Sequence, residues 1–286
     1  MAIVYDKLMA LAVPEVRQTY DDKDCILYAL GIGLGHDPTN EDELPFVYEK
    51  NLKVLPTMGT VLAYPGFWAR EQDTGIDWVR TVNGEQGIIL HRPLPGRGTV
   101  TSRVRIVEVV DKGADKGALV LSERDVTDAA TGALLATVTQ TTFCRADGGF
   151  GGPPRKAPAP HPMPMRAPDV FCDLGTRPEA ALVYRLSGDR NPLHAEPAVA
   201  RQAGYPRPIL HGLGSFGVAG HAVLKTICGY DPHKLASFAC RFTAPVFPGE
   251  TLRTEMWRDG NVVSFRSRVV GREAIVVDHG RAEVRT

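Results

Sequence analysis

A proline-rich stretch at residues 151–168 divides this chain near its middle. It reads Gly-Gly-Pro-Pro-Arg-Lys-Ala-Pro-Ala-Pro-His-Pro-Met-Pro-Met-Arg-Ala-Pro. Proline has no backbone donor and a fixed φ, so such a segment can be neither helix nor central strand. It is expected to be an extended, fairly stiff connector. The 286 residues suffice for one large domain or two of ordinary size. The connector favours two units, residues 1–150 and residues 169–286.

The two units follow the same outline. The first has a helical stretch near Asp24–Leu34, with apolar Ile26, Leu27, Ala29 and Leu30. The second has one near Ser215–Cys228, with Phe216, Val218, Ala219, Val223, Leu224 and Ile227 at helical spacing. Similar phrases come later in each: His91-Arg-Pro-Leu-Pro-Gly-Arg-Gly-Thr-Val100 and Thr243-Ala-Pro-Val-Phe-Pro-Gly-Glu-Thr-Leu252. Alternating runs come next. Val104–Val110, Ala118–Leu121 and Leu134–Thr142 are read as strands in the first half, and Leu252–Trp257, Val262–Val270 and Ala274–Asp278 in the second. Each half is thus a helix followed by an antiparallel meander, an α+β arrangement in which one helix lies on one curled sheet. Two such halves joined edge to edge would remove exposed strand edges. Two unrelated α+β domains are the plainer alternative to this duplication.

Composition narrows the function classes. Lys plus Arg equals Asp plus Glu, at 33 each, which argues against bulk binding to nucleic acid or to an anionic membrane. No apolar run approaches the roughly 18 residues of a membrane helix. The start, Met1-Ala-Ile-Val-Tyr-Asp-Lys, lacks the apolar core of a secretory signal, and the end, Val284-Arg-Thr, is not a peroxisomal address. The five cysteines are odd in number, widely spaced and without a C-x-x-C pair, which reads as reduced thiols in a cytoplasmic protein. Nothing shows metal-ligand spacing, so no metal is expected.

Chemistry concentrates in one stretch, Tyr184-Arg-Leu-Ser-Gly-Asp-Arg-Asn-Pro-Leu-His194, and in Pro208-Ile-Leu-His-Gly212 downstream of it. Gly-Asp-Arg-Asn-Pro alone would be a turn, and a lone His194 a packed or surface histidine. Together, Asp189, Asn191 and His194 place a carboxylate, a carboxamide and an imidazole within six residues. Leu186 and Leu193 flank them and are expected to anchor the turn on the core. Such an Asp–His pair can converge on one water molecule and suits hydration of an activated alkene. The Gly212 N–H, opening a Gly-rich segment ahead of the following helix, is the candidate donor to a thioester oxygen. Leu213 and Gly214 are candidate substrate contacts. Gly212-Leu-Gly-Ser-Phe-Gly217 formally matches a dinucleotide fingerprint, but no βαβ unit surrounds it, and its glycines are read as allowing a helix to pack closely on a sheet. His211 is expected to be buried or to act behind the pair. His36, His91, His161, His221, His233 and His279 lack an acidic neighbour in a recognisable arrangement.

These phrases closely resemble the hydratase 2 motif of MaoC-like (R)-specific enoyl-CoA hydratases. Asn83-Gly-Glu-Gln-Gly, His91-Arg-Pro-Leu-Pro95 and Pro248-Gly-Glu-Thr-Leu-Arg-Thr-Glu-Met-Trp257 resemble the hydratase 2 region of peroxisomal multifunctional enzyme type 2. The resemblance implies a double hot-dog fold, a helix wrapped by an antiparallel sheet in each repeat. It implies reversible addition of water to trans-2-enoyl-CoA, giving (R)-3-hydroxyacyl-CoA. Asp189 and His194 would activate the water, Asn191 would orient them, and Gly212 would bind the thioester oxygen. The first half lacks the motif, so it would shelter the acyl tail without catalysing. No cofactor is implied, since coenzyme A arrives as part of the acyl-CoA substrate. A homodimer is plausible by the same analogy. A hot-dog acyl-CoA thioesterase and a non-catalytic acyl-CoA-binding module are the rival readings.

Overall fold

The computed structural model describes residues 3–285. Its strands are β1 (Val16–Tyr20), β2 (Thr81–Leu90), β3 (Gly98–Asp111), β4 (Ala118–Asp128), β5 (Leu134–Cys144), β6 (Val170–Gly175), β7 (Leu235–Phe242), β8 (Thr251–Asp259), β9 (Val262–Val269) and β10 (Ala274–Val284). All ten form one antiparallel sheet in the order β1-β3-β4-β5-β2-β7-β10-β9-β8-β6. Read from each outer edge inward, the halves have the same order: 1-3-4-5-2 and 6-8-9-10-7.

The seam is the antiparallel pairing of β2 with β7, from Glu85 opposite Arg241 to Ile89 opposite Ser237. The Arg241 guanidinium donates to Glu85 Oε1 through Nε (2.9 Å) and Nη2 (2.6 Å) across that seam. A side chain at Gly87 would collide with Thr139 of β5, so glycine lets three strands pack closely there. The meander strands fall where the alternation places them. Four strands, β1, β2, β6 and β7, give no such signal. β2 opens with Thr-Val-Asn-Gly-Glu-Gln-Gly, too polar and glycine-rich to read as a strand; its partners on both sides make it one.

The first central helix runs Asp22–Gly31. Asp21 Oδ1 accepts the Lys23 N–H at 3.0 Å, and Asp24 Oδ2 accepts the Asp21 N–H at 3.0 Å, closing its N-terminus. Gly33 ends it in a left-handed conformation, φ +95°. The second central helix runs Gly212–Thr226, starting three residues before the sequence pattern suggested. Every residue from Leu213 to Leu224 is buried, so this helix is enclosed on all sides. Gly217 and Gly220 do not serve helix-on-sheet packing as expected. A Cβ at Gly217 would lie 2.5 Å from Ile32 Cγ2, just past the end of the first central helix, and one at Gly220 would lie 2.6 Å from Thr57 Cγ2. The close approach is between the two halves. Gly217→Ala is therefore expected to destabilise by about 1–3 kcal/mol through overpacking. A lower melting temperature by differential scanning calorimetry is the expected result; a raised one would remove this packing account.

One large core contains Tyr28, Ile32, Phe46, Leu62, Phe216, Leu224, Phe238 and Phe265, drawn from both halves. Buried within it, Glu43 Oε2 accepts the Gly35 N–H (2.8 Å), Glu43 Oε1 accepts the Tyr230 O–H (2.9 Å), and His221 Nε2 lies 3.4 Å from Oε1. His221 thus has an acidic neighbour, one that only the fold brings to it. A smaller core of Leu8, Val13, Trp68, Val104, Val109 and Val120 packs on the first half. Residues 145–169 form no helix or strand. They cross the outer face of the second half: His161 bonds Ser264 Oγ of β9 (2.8 Å) and His279 of β10 (2.8 Å), and Trp257 of β8 donates to the Arg166 carbonyl (2.8 Å). The connector spans the sheet because β6 lies at the edge farthest from β5's half. All five cysteines are buried and unpaired. Among the described residues, no helix is long and apolar enough to cross a membrane.

Candidate active site

Two short turns carry the motif. A helical segment ends at Tyr184, a 3-10 turn covers Arg185–Ser187, and Gly188 follows with φ +130°, a conformation that side chains disfavour. Asp189 Oδ1 then accepts the Asn191 N–H at 3.0 Å. Asn191 Oδ1 accepts the Leu193 N–H at 3.0 Å and caps a second 3-10 turn, Pro192–His194. The carboxamide oxygen of Asn191 is thus spent on shaping the turn that carries His194. Leu193 is partly buried, but Leu186 is 48% exposed and does not anchor the turn.

His194 is buried, and its Nδ1–H donates to the Ile209 carbonyl at 2.8 Å. That bond fixes the tautomer and leaves the Nε2 lone pair free. Burial lowers its pKa, against the opposing pull of the Ile209 carbonyl and the Asp189 carboxylate. His211 is stacked on His194, with ring centres 3.7 Å apart and planes inclined by 27°. Its Nε2–H donates to the Asp189 carbonyl at 3.0 Å, so it holds the backbone of the carboxylate residue. Burial, then the neighbouring His194, drives its pKa far down. Both imidazoles are therefore held neutral.

Asp189, His194 and His211 offer atoms that all lie within 4.8 Å of one another. The fold thus brings together the two residues expected to share a water. The stacking is a poor frame for a metal. A ligand lone pair lies in the ring plane, and zinc needs about 2.0–2.1 Å to each nitrogen; planes so nearly parallel meet only well beyond that reach. Gly212 is the first residue of the second central helix, where N–H groups have no intrahelical acceptor and the helix dipole favours negative charge. A Cβ there would touch only the Phe242 ring, at 3.6 Å. The Leu213 side chain is buried and Gly214 packs on Leu210, so those two residues offer backbone to a ligand but no side chain.

Several polar groups around this turn were not legible as site residues. Tyr28 Oη, Thr57 Oγ1, Tyr184 Oη, Ser187 Oγ and His211 Nδ1 are buried without a hydrogen-bond partner among the described residues. Tyr28 and Tyr184 lie 5.9 Å apart, and Tyr184 lies 5.0 Å from His211. Burial raises both phenols, so both stay neutral donors. Tyr28 and Thr57 come from the first half, where no motif marks them. A cavity of about 310 Å³ begins at Ser187 and Gly188, beside Asp189. Ten of its thirteen lining residues belong to the first half, with Leu27, Met58, Val61, Leu62 and Tyr64 giving it an apolar wall.

Residues 155–279 match the MaoC-like domain, and residues 18–146 match the MFE-2 hydratase 2 N-terminal domain. The chain belongs to the MaoC-like hydratase 2 family. It is 40% identical over 294 residues to the 3-hydroxyacyl-thioester dehydratase Y of Mycobacterium tuberculosis, covering 99% of each chain. It is 38% identical over 295 residues to the peroxisomal enoyl-CoA hydratase 2 of Arabidopsis thaliana, covering 95% of this chain and 93% of that one. The crystal structure of a MaoC-like dehydratase from Phytophthora capsici superposes with a TM-score of 0.87 at 33% identity, covering 98% of each chain. The architecture of this hydratase 2 family member is the double hot-dog that its sequence led one to expect.

Proposed function

We propose that this chain adds water reversibly to trans-2-enoyl-CoA to give (R)-3-hydroxyacyl-CoA. The observation that carries the reading is the convergence of Asp189 with a buried, neutral His194 whose Nε2 is free. It is supported by the relatives named enoyl-CoA hydratase 2 and 3-hydroxyacyl-thioester dehydratase.

One water is held between the Asp189 carboxylate and His194 Nε2. As its oxygen bonds to C3 of the enoyl chain, Nε2 takes one of its protons. The electrons of the double bond move toward C2 and the thioester carbonyl, where the Gly212 N–H meets the negative oxygen. The imidazolium, steadied by Asp189, then gives its proton to C2. Hydroxyl on C3 and hydrogen on C2 sum to one water, and no electron enters or leaves. The scheme uses no cofactor or metal, and coenzyme A is part of the substrate. Asn191 acts through the turn it caps. In this reading residues 1–150 do not catalyse: their apolar cavity takes the acyl tail, residues 151–168 connect, and residues 169–286 hold the motif. The protein would work in a cytoplasmic setting of acyl-CoA metabolism, as a homodimer.

The test is to incubate the protein with trans-2-enoyl-CoA, resolve the product on a chiral column and assay free thiol in parallel. The R alcohol without thiol release is expected. Thiol release would favour the thioesterase alternative, and tight binding without product the binding-module alternative.

A further inference from the structure

An acyl-CoA hydratase needs an anchor for the phosphates of coenzyme A, and the anchor inferred for this chain rests on the hydratase reading. On that reading the acyl tail lies in the cavity walled by the first half, and the segment Pro208–Gly212 leads from the Gly212 N–H, through buried Ile209–His211, to the surface at Arg207. Three contacts show what lies beside that segment. Gly212 faces the Phe242 ring, the Leu210 N–H donates to the Val246 carbonyl at 2.7 Å, and Arg207 Nη1 donates to the Pro248 carbonyl at 3.0 Å. The two segments run antiparallel, with Gly212 at one end and Arg207 at the other. An extended run of five residues covers roughly 16 Å, a span of the order of an extended pantetheine arm.

At the far end, two guanidinium groups pack on one phenyl ring. Arg207 lies 5.1 Å and Arg272 5.5 Å from the Phe247 centroid. Arg272 uses Nε and Nη2 on Glu250 and on the Pro245 carbonyl. Its Nη1 has no hydrogen-bond partner among the described residues. Arg207 is exposed and forms no ion pair among them. Glu250 thus pairs with Arg272 alone, and the charge of Arg207 is left without an ion-pair partner among the described residues. Arg253, by contrast, is taken up by Asp173, and Arg105 by Asp125 and Glu123. A guanidinium braced over an aromatic ring is steered by it, and Arg272 Nη1 and the remaining N–H groups of Arg207 are left to donate to phosphate oxygens.

We infer that Arg207 and Arg272, braced on Phe247, form the phosphate-binding rim for the coenzyme A end of the substrate. The experiment compares one enoyl chain carried on coenzyme A with the same chain on N-acetylcysteamine, which has no phosphate. In Arg207→Gln, Arg272→Gln and the double variant, the ratio of kcat/KM for the CoA thioester to that for the truncated one is expected to fall about tenfold or more, through KM. A ratio within twofold of wild type in the double variant overturns the inference. Calorimetric titration with free coenzyme A and with dephospho-coenzyme A needs no turnover. The Kd for coenzyme A is expected to rise about tenfold or more in the double variant, and an unchanged Kd overturns the inference. A rise seen only with coenzyme A assigns the rim to the 3′-phosphate; a rise with both assigns it to the diphosphate. A wild type that binds coenzyme A in this arginine-dependent way yet hydrates neither thioester leaves the rim standing and sinks the hydratase reading. Thermal melts of the variants separate lost binding from lost folding.

Discussion

Asp189→Asn and His194→Gln are each expected to lower kcat for enoyl-CoA hydration by roughly 10²–10⁴-fold, the range of positioned acid–base groups. Asparagine at position 189 retains an oxygen for the Asn191 N–H, so the turn is kept while the charge beside the imidazole is lost. Glutamine at position 194 removes the Nε2 lone pair. Loss of the conjugated enoyl-thioester absorbance reports turnover, and a melting curve reports folding. A folded variant with wild-type turnover at either position would end the assignment. The pH profile carries the same argument. Burial lowers the His194 pKa, and a base works when deprotonated. The acid limb of kcat/KM is therefore expected below the ordinary histidine value of about 6.5. A limb at or above that value would contradict a buried neutral base.

The largest stability effect is expected at Glu43, far from the chemistry. Glu43→Ala leaves the Gly35 N–H and the Tyr230 O–H without their acceptor and His221 beside an apolar hole. The expected loss is about 3–5 kcal/mol, the range for breaking a buried polar pair, or roughly 6–15 °C in Tm. A loss below about 1 kcal/mol would contradict the role of this cluster. Burial alone would push the Glu43 pKa up. The nearby His221 imidazole and the hydrogen bonds from Gly35 and Tyr230 outweigh it and bring the pKa down from 4.5 to about 2. Because the folded value is the lower, the stabilisation is complete above 4.5 and is lost as pH falls toward 2. In urea titrations at stepped pH, the gap between wild type and Glu43→Gln is expected to close across that window.

The Asp189–His194 phrase was legible because it is local. Asp189, Asn191 and His194 lie within six residues, and glycine and proline shape the backbone between them whatever surrounds it. The meander strands were legible for a similar reason: one face is covered and the other is not, so their residues alternate. β2 and β7 were not. As the seam strands they pair across the two halves, and the glycine and small residues there answer to neighbours from distant segments. His221 showed no acid nearby in sequence, because Glu43 reaches it across 178 positions. The glycines of the second helix pointed to close packing, but which element packs there depends on how the halves meet.

The sequence by itself determined the repeat, the connector and the residues of the turn, since each follows from backbone chemistry over short spans. Only the tertiary structure decided that the first half walls most of the cavity beside the turn, that His211 stacks on His194, and that Arg207 and Arg272 share one ring. Those arrangements join residues tens to hundreds of positions apart. No periodicity or spacing carries them; they arise when two sheets fuse along one seam, with one helix enclosed and the other half-buried beside it.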